Sequence, residues 1–137
     1  MPGMIPVLIV DDSPTVRLTL RGWLTEAGYE TREAADGVEA LAALRAGPTP
    51  MIALMDYQMP RLDGFETLSR AVEEGLTPPR FAYVAISSMA AHFPPALSAL
   101  LRQLGAQILP KPFEREALLE VTRFVERRLT APVGEQA

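Results

Sequence analysis

The chain has 137 residues, 48% of them hydrophobic, a formal net charge of −4 and no cysteine. This length and composition fit one domain with a packed core, and the lack of cysteine excludes disulfides, thiolate metal sites and thiol catalysis. The chain has no basic block and no run of about 18 apolar residues, so neither direct nucleic-acid binding nor a membrane span is predicted.

Strand-like and helix-like segments alternate along the chain. Short apolar or alternating stretches predict five strands, at 5–10, 29–34, 51–55, 81–86 and 106–109. Apolar residues at helical spacing after each strand predict five helices, within 13–28, 36–47, 63–72, 94–105 and 118–129. The second strand is the least apolar, which favours a position near a sheet edge.

Helix starts are marked by capping residues. Ser13 precedes a proline, as an N-cap does before a first-turn proline. Asp36 with Glu39, and Asp63 with Glu66, have the spacing of a capping box. These capping signals support three of the helix assignments independently of hydrophobic periodicity.

Five strand–helix units in succession predict an α/β fold with a doubly wound, five-stranded parallel sheet and five helices. The continuous apolar strands fit a sheet that is covered on both faces. We expect one domain over residues 1–130, followed by a flexible tail at 131–137. Sites in such sheets lie at the carboxyl ends of the strands, beside the point where strand order reverses.

Polar side chains stand just past four of the five strands: Asp11, Asp12, Asp56, Ser87 or Ser88, and Lys111. Three neighbouring carboxylates must protonate, separate or bind a cation. Oxygen ligands without histidine or cysteine favour Mg²⁺. A carboxylate at a strand end can also attack a phosphoryl group, and the metal and a lysine would then stabilise the charge on phosphorus-bound oxygens.

In this order, the motifs resemble the receiver domain of bacterial response regulators, of the stand-alone type that is similar to the chemotaxis regulator. The matching pieces are LIVDDS (8–13), LMDYQMP (54–60) with LDG (62–64), AISS (85–88) and LPKPF (109–113). The resemblance covers about residues 4–130. It implies a flavodoxin-like sheet of order 2-1-3-4-5.

The resemblance also implies roles for individual residues. Asp56 would accept a phosphoryl group from a sensor histidine kinase or a phosphotransfer protein. Ser87, which directly follows the apolar run, would be the switch hydroxyl, and Lys111 would pair with the phosphoryl group. The expected Mg²⁺ ligands are Asp11, Asp12, Asp56 and the backbone carbonyl of Gln58.

A single-domain response regulator of this kind would be cytoplasmic and would turn over no separate substrate. Its output would be a downstream protein that docks on the surface of the fourth helix, fifth strand and fifth helix. Two positions depart from the family pattern. Ile108 stands where many members carry an aromatic switch residue, and the apolar Met89 predicts a long-lived phosphoryl group.

Two other functions remain as alternatives. A pseudo-receiver would bind partners without phosphorylation; the complete set of acids, hydroxyl and lysine argues against it, whereas Ile108 weakly favours it. A phosphatase with an aspartyl-phosphate intermediate would need a second acid two residues after its nucleophile. Gln58 and Ser13 stand at those positions, so the acid is missing.

Overall fold

The structure, a computed structural model, describes residues 5–57, 63–88 and 93–130. The strands are β1 (Val7–Val10), β2 (Thr31–Ala34), β3 (Met51–Asp56), β4 (Phe81–Ser87) and β5 (Gln107–Pro110). The helices are α1 (Pro14–Glu26), α2 (Gly37–Ala46), α3 (Gly64–Glu73), α4 (Pro95–Leu104) and α5 (Arg115–Thr130). The sheet is parallel in the order β2-β1-β3-β4-β5, as expected.

Strand order reverses at β1, which pairs with β2 on one side and with β3 on the other. The crossover from β1 through α1 leads to β2, whereas the later strands extend the sheet in the opposite direction. Because all five strands are parallel, their carboxyl ends share one edge of the sheet. The switch point therefore places the ends of β1 and β3 side by side.

Two apolar cores cover the two faces of the sheet. One packs α2, α3 and α4 against one face, and its largest buried side chains include Leu44, Met51, Phe81 and Tyr83. The other packs α1 and α5 against the opposite face. The central strands β1 and β3 are buried along their whole length, which explains their uninterrupted apolar sequences.

The predicted caps are present. The side chain of Ser13 accepts a hydrogen bond from the Val16 amide at 3.2 Å. The Asp36 and Asp63 carboxylates accept from the amides three residues later, each at 2.9 Å. At the start of α2, Glu39 also accepts from the amide of Ala35, the residue before the N-cap. These caps fix where the first three helices begin.

The strand ends differ from the sequence prediction by one or two residues. Asp56 and Ser87 are the last residues of β3 and β4 rather than the first residues beyond them. β2 begins at Thr31 and not at Tyr29. Tyr29 instead lies buried in the turn after α1, where its amide donates to the Leu24 carbonyl and its hydroxyl donates to Glu126.

β2 is an edge strand, as its sequence predicts, and only its last residue is buried. Across the described ranges, no helix combines the length and the apolar character that crossing a membrane would require.

Candidate functional site

The edge formed by the carboxyl ends of the strands collects the polar residues singled out in the sequence. Asp11 follows β1, Asp56 ends β3, Ser87 ends β4 and Lys111 follows β5. In the register, Asp56 lies beside Ile86, and Ser87 lies beside Pro110. Parallel pairing of four strands thus converts residues that are up to 100 positions apart into one cluster.

Asp11, Asp12 and Asp56 form a compact acidic group. One carboxylate oxygen from each lies within 4.8 Å of those of the other two. Asp11 and Asp56 are 4% and 7% exposed, whereas Asp12 faces solvent. Two buried carboxylates and a third at this separation repel each other unless a cation balances them, so the donor set fits a hard divalent ion such as Mg²⁺.

Lys111 supplies a positive charge on one side of this group. Its Nζ lies 3.7 Å from Oδ1 of Asp56 and 3.8 Å from Oδ2 of Asp11. Its amide donates to the Ser87 carbonyl at 2.9 Å, which fixes the backbone from which the side chain extends. The ammonium group is therefore near both buried carboxylates and remains close to solvent, with the side chain 33% exposed.

The Asp11 backbone and side chain are held by α1. The Ser13 amide donates to Oδ1 of Asp11 at 2.8 Å. Arg17 Nη1 donates to the Asp11 carbonyl at 2.6 Å, while its Nε donates to Glu33 on β2. Arg17 was not among the residues predicted from the sequence. The one signal in the sequence is the spacing of Arg17 and Arg21, which stand one turn apart and therefore share a face of α1. In the structure both side chains donate to Glu33.

The two candidate hydroxyls differ in burial. Ser87 is 3% exposed, and Ser88 is exposed to solvent. Ser87 ends a strand that lies between those of Asp56 and Lys111. Ser87 therefore lies at the same edge of the sheet as Asp56 and Lys111.

Several predicted positions lie outside the described residues or away from the cluster. Gln58, Met89 and the tail at 131–137 fall outside the described ranges, so the structure does not address them. Ile108 lies on β5 beside Ala85 and is 42% exposed. An aliphatic side chain on this outer strand supplies no aromatic ring for a switch.

A family model for the response regulator receiver domain matches residues 7–123. The response regulator MprA of Mycobacterium sp. (strain KMS) is 35% identical over 130 residues, or 95% of this chain and 54% of the relative. The MprA of Mycobacterium avium (strain 104) is 37% identical over 122 residues, 89% of this chain and 51% of the relative. The chain thus spans about half the length of these curated relatives.

Solved structures show the same architecture. The Vibrio cholerae chemotaxis protein CheY4 superimposes with a TM-score of 0.75 at 31% identity, over 89% of this chain and 98% of CheY4. A probable two-component system response regulator/GGDEF domain protein gives a TM-score of 0.78 at 33% identity, over 93% of this chain and 51% of that protein. The flavodoxin-like order of strands and the family match agree, and the chain belongs to the response regulator receiver domains of two-component systems.

Proposed function

We propose that Asp56 accepts a phosphoryl group in a Mg²⁺-dependent reaction and that its phosphorylation switches a partner-binding surface. The observation that carries this proposal is the cluster of three carboxylates within 4.8 Å, with the Lys111 ammonium 3.7 Å from Asp56. A nucleophilic carboxylate, a metal-binding acidic pair and a cation are the parts that phosphoryl transfer to aspartate requires.

The metal ligands would be Asp11, Asp12, Asp56 and the backbone carbonyl of Gln58. When bound, Mg²⁺ supplies positive charge that balances the carboxylates and the phosphoryl oxygens. Asp11 is oriented for this role by the Ser13 amide and by Arg17. Hydrogen bonds that fix a ligand in place lower the cost of assembling the site.

The transfer itself is a displacement at phosphorus. A carboxylate oxygen of Asp56 forms the new O–P bond as the N–P bond of a phosphohistidine breaks, and the imidazole leaves. Lys111 and the Ser87 hydroxyl donate to phosphoryl oxygens as negative charge redistributes on them. The donor would be a sensor histidine kinase or a phosphotransfer protein in the cytoplasm, and receiver domains as a family act with such proteins.

The chain would act as a signalling switch and not as an enzyme with its own substrate. Asp56 is consumed by phosphorylation and regenerated by hydrolysis, so turnover concerns this one side chain. The receiver domain would extend over residues 1–130, to the end of α5. This range contains the acceptor, the metal ligands and the proposed output surface.

The output surface that we propose is formed by α4, β5 and α5. Ile108 on β5 and Phe124 on α5 are 42% and 40% exposed there, and both are large apolar side chains. Exposed apolar residues on adjacent elements suit a protein partner. The formal net charge of −4 does not favour binding to nucleic acid, so we expect the downstream target to be a protein.

A phosphorylation-independent pseudo-receiver is the second candidate, and Ile108 is the observation that favours it. Incubation with acetyl phosphate and Mg²⁺, followed by intact mass measurement, separates the two functions. We expect the folded protein to gain one phosphoryl group, and to gain none when EDTA replaces Mg²⁺. No gain under either condition, with acetyl phosphate intact, would favour the pseudo-receiver.

Mg²⁺ should also stabilise the protein, because an ion that binds only the native state raises its free energy of unfolding. At ten times the dissociation constant the gain is about 1.4 kcal/mol, which raises the melting temperature of a domain this size by roughly 5 °C. Asp12→Asn should abolish the rise and should stabilise the metal-free protein slightly, because it removes one repelling carboxylate.

Asp63→Asn is the matched control for this measurement. Its amide oxygen can still cap α3, and Asp63 lies outside the acidic group. The control should keep the full Mg²⁺-dependent rise. A wild-type melting temperature that does not change when millimolar Mg²⁺ is added would count against the metal site.

A further inference from the structure

An aromatic contact connects the phosphoacceptor strand to the start of α4. The rings of Tyr57 and Phe93 lie 5.3 Å apart, centroid to centroid, with their planes tilted by 54°. Tyr57 directly follows Asp56, and Phe93 directly precedes Pro94, the residue at the N-cap of α4. Both rings pack against the core that holds α3 and α4 on the sheet.

The backbone of Tyr57 is fixed on both sides. Its amide donates to the Ile86 carbonyl at 3.1 Å, and its carbonyl accepts from the Gly64 amide at 2.8 Å. A Cβ on Gly64 would lie 2.8 Å from Cα of Tyr57, so α3 approaches this residue as closely as glycine permits. A change at Asp56 therefore reaches the Tyr57 ring through a stiff main chain.

The Tyr57 ring, unlike its backbone, adjoins unfilled space. A small apolar cavity borders it, between the sheet and the two helices, and is lined by Tyr57, Gly64, Leu68, Tyr83, Leu97 and Leu101. Leu97 and Leu101 belong to the buried face of α4. Because this space adjoins both the ring and α4, a new ring position can be accommodated by repacking α4.

The residue at the usual aromatic switch position cannot perform this task. Ile108 is aliphatic, half exposed and located on β5, on the far side of β4 from Asp56. Among the described residues, the ring contact that joins the acceptor edge to α4 is that of Tyr57 with Phe93. Tyr57 and Phe93 thus connect Asp56 to α4 in a chain that has no aromatic residue at position 108.

We propose that the Tyr57–Phe93 contact couples the state of Asp56 to the position of α4, so that Tyr57 and Phe93 act as positioning residues for the output surface. The proposal rests on phosphorylation of Asp56. Phosphorylation would shift the Tyr57 ring between two packings, and Phe93 would transmit the change to the first turn of α4. Each packing would favour one arrangement of the helix.

The test compares amide chemical shifts with and without beryllofluoride and Mg²⁺, a mimic of the phosphoryl group, in the wild type and in ring variants. In the wild type we expect changes at the site, in residues 11–13 and 86–88, and along α4. Tyr57→Leu and Phe93→Leu should keep the changes at the site and reduce those along α4 several-fold. Tyr57→Phe, which retains a ring, should respond like the wild type.

Phe113→Leu is the matched control, because it removes a ring from another aromatic pair. Phe113 contacts Trp23 edge to face at 6.5 Å and packs in the core on the opposite face of the sheet. This variant should keep the α4 response. A melting curve for each variant separates lost coupling from lost folding, since a merely structural role would lower the melting temperature without suppressing the α4 response.

Two results would overturn the coupling, and they differ from failure of the proposed function. The route would be refuted if the α4 response were unchanged in both Tyr57→Leu and Phe93→Leu. It would also be refuted if Ile108→Ala were the one variant to lose the α4 response. If beryllofluoride changed no shift at the site of the folded wild type, phosphorylation of Asp56 itself would be refuted, and the coupling with it.

Discussion

Asp56→Asn should abolish phosphoryl uptake from acetyl phosphate while leaving the protein folded. The amide nitrogen and oxygen are much weaker nucleophiles than a carboxylate, so no acyl phosphate can form at this position. Asparagine is nearly isosteric with aspartate, and its neutral side chain relieves repulsion from Asp11 and Asp12. We expect intact mass to show no phosphoryl gain, and melting to show equal or slightly higher stability without Mg²⁺.

Asp63→Asn again provides the control, since it removes one carboxylate and retains an oxygen that can cap α3. It should gain one phosphoryl group as the wild type does. If Asp56→Asn acquired a phosphoryl group to the same extent as the wild type, the acceptor would be another residue and the assignment of the site would be wrong.

Lys111→Met should slow phosphoryl uptake strongly. The ammonium group lies 3.7 Å from Asp56 and is the cation of the described chain that faces both buried carboxylates. Removing one preorganised donor to developing negative charge costs about 10²- to 10³-fold in rate. We therefore expect the initial rate of mass gain to fall by about this factor at saturating Mg²⁺.

The same substitution should lower the melting temperature in the absence of Mg²⁺. Asp11 and Asp56 are buried, and the substitution removes the ammonium group that lies near both carboxylates. Mg²⁺ should restore most of the lost stability, because it supplies the missing charge. Lys111→Arg keeps the charge and should lose less rate than Lys111→Met; equal rates for Lys111→Met and the wild type would remove Lys111 from the mechanism.

Much of the fold follows from local signals in the sequence. The apolar strands β1 and β3 are buried along their full length. The side chains of the capping residues Ser13, Asp36 and Asp63 all accept hydrogen bonds from the expected backbone amides. Alternation of such strands with helices leaves few topologies, because crossovers in parallel sheets are right-handed. The predicted start of β2 was wrong by two residues, because Tyr29 lies in the turn after α1, where it packs in the core and its hydroxyl donates to Glu126 on α5.

The acidic cluster was also accessible from sequence, because strand ends in a parallel sheet converge wherever the residues stand along the chain. What could not be predicted depends on tertiary distances. Arg17 contacts the Asp11 carbonyl only because α1 packs beside β2. The ring contact between Tyr57 and Phe93 depends on where α4 begins over the sheet, and neither periodicity nor capping reports that position.

The acceptor residue can be identified chemically. Borohydride reduces an acyl phosphate to an alcohol, so a phosphorylated aspartate is converted to homoserine. After incubation with acetyl phosphate and Mg²⁺, followed by reduction, peptide sequencing by mass spectrometry should find homoserine at position 56 alone. Homoserine at another aspartate, or none in protein that had gained a phosphoryl group, would contradict the proposal that Asp56 is the phosphoacceptor.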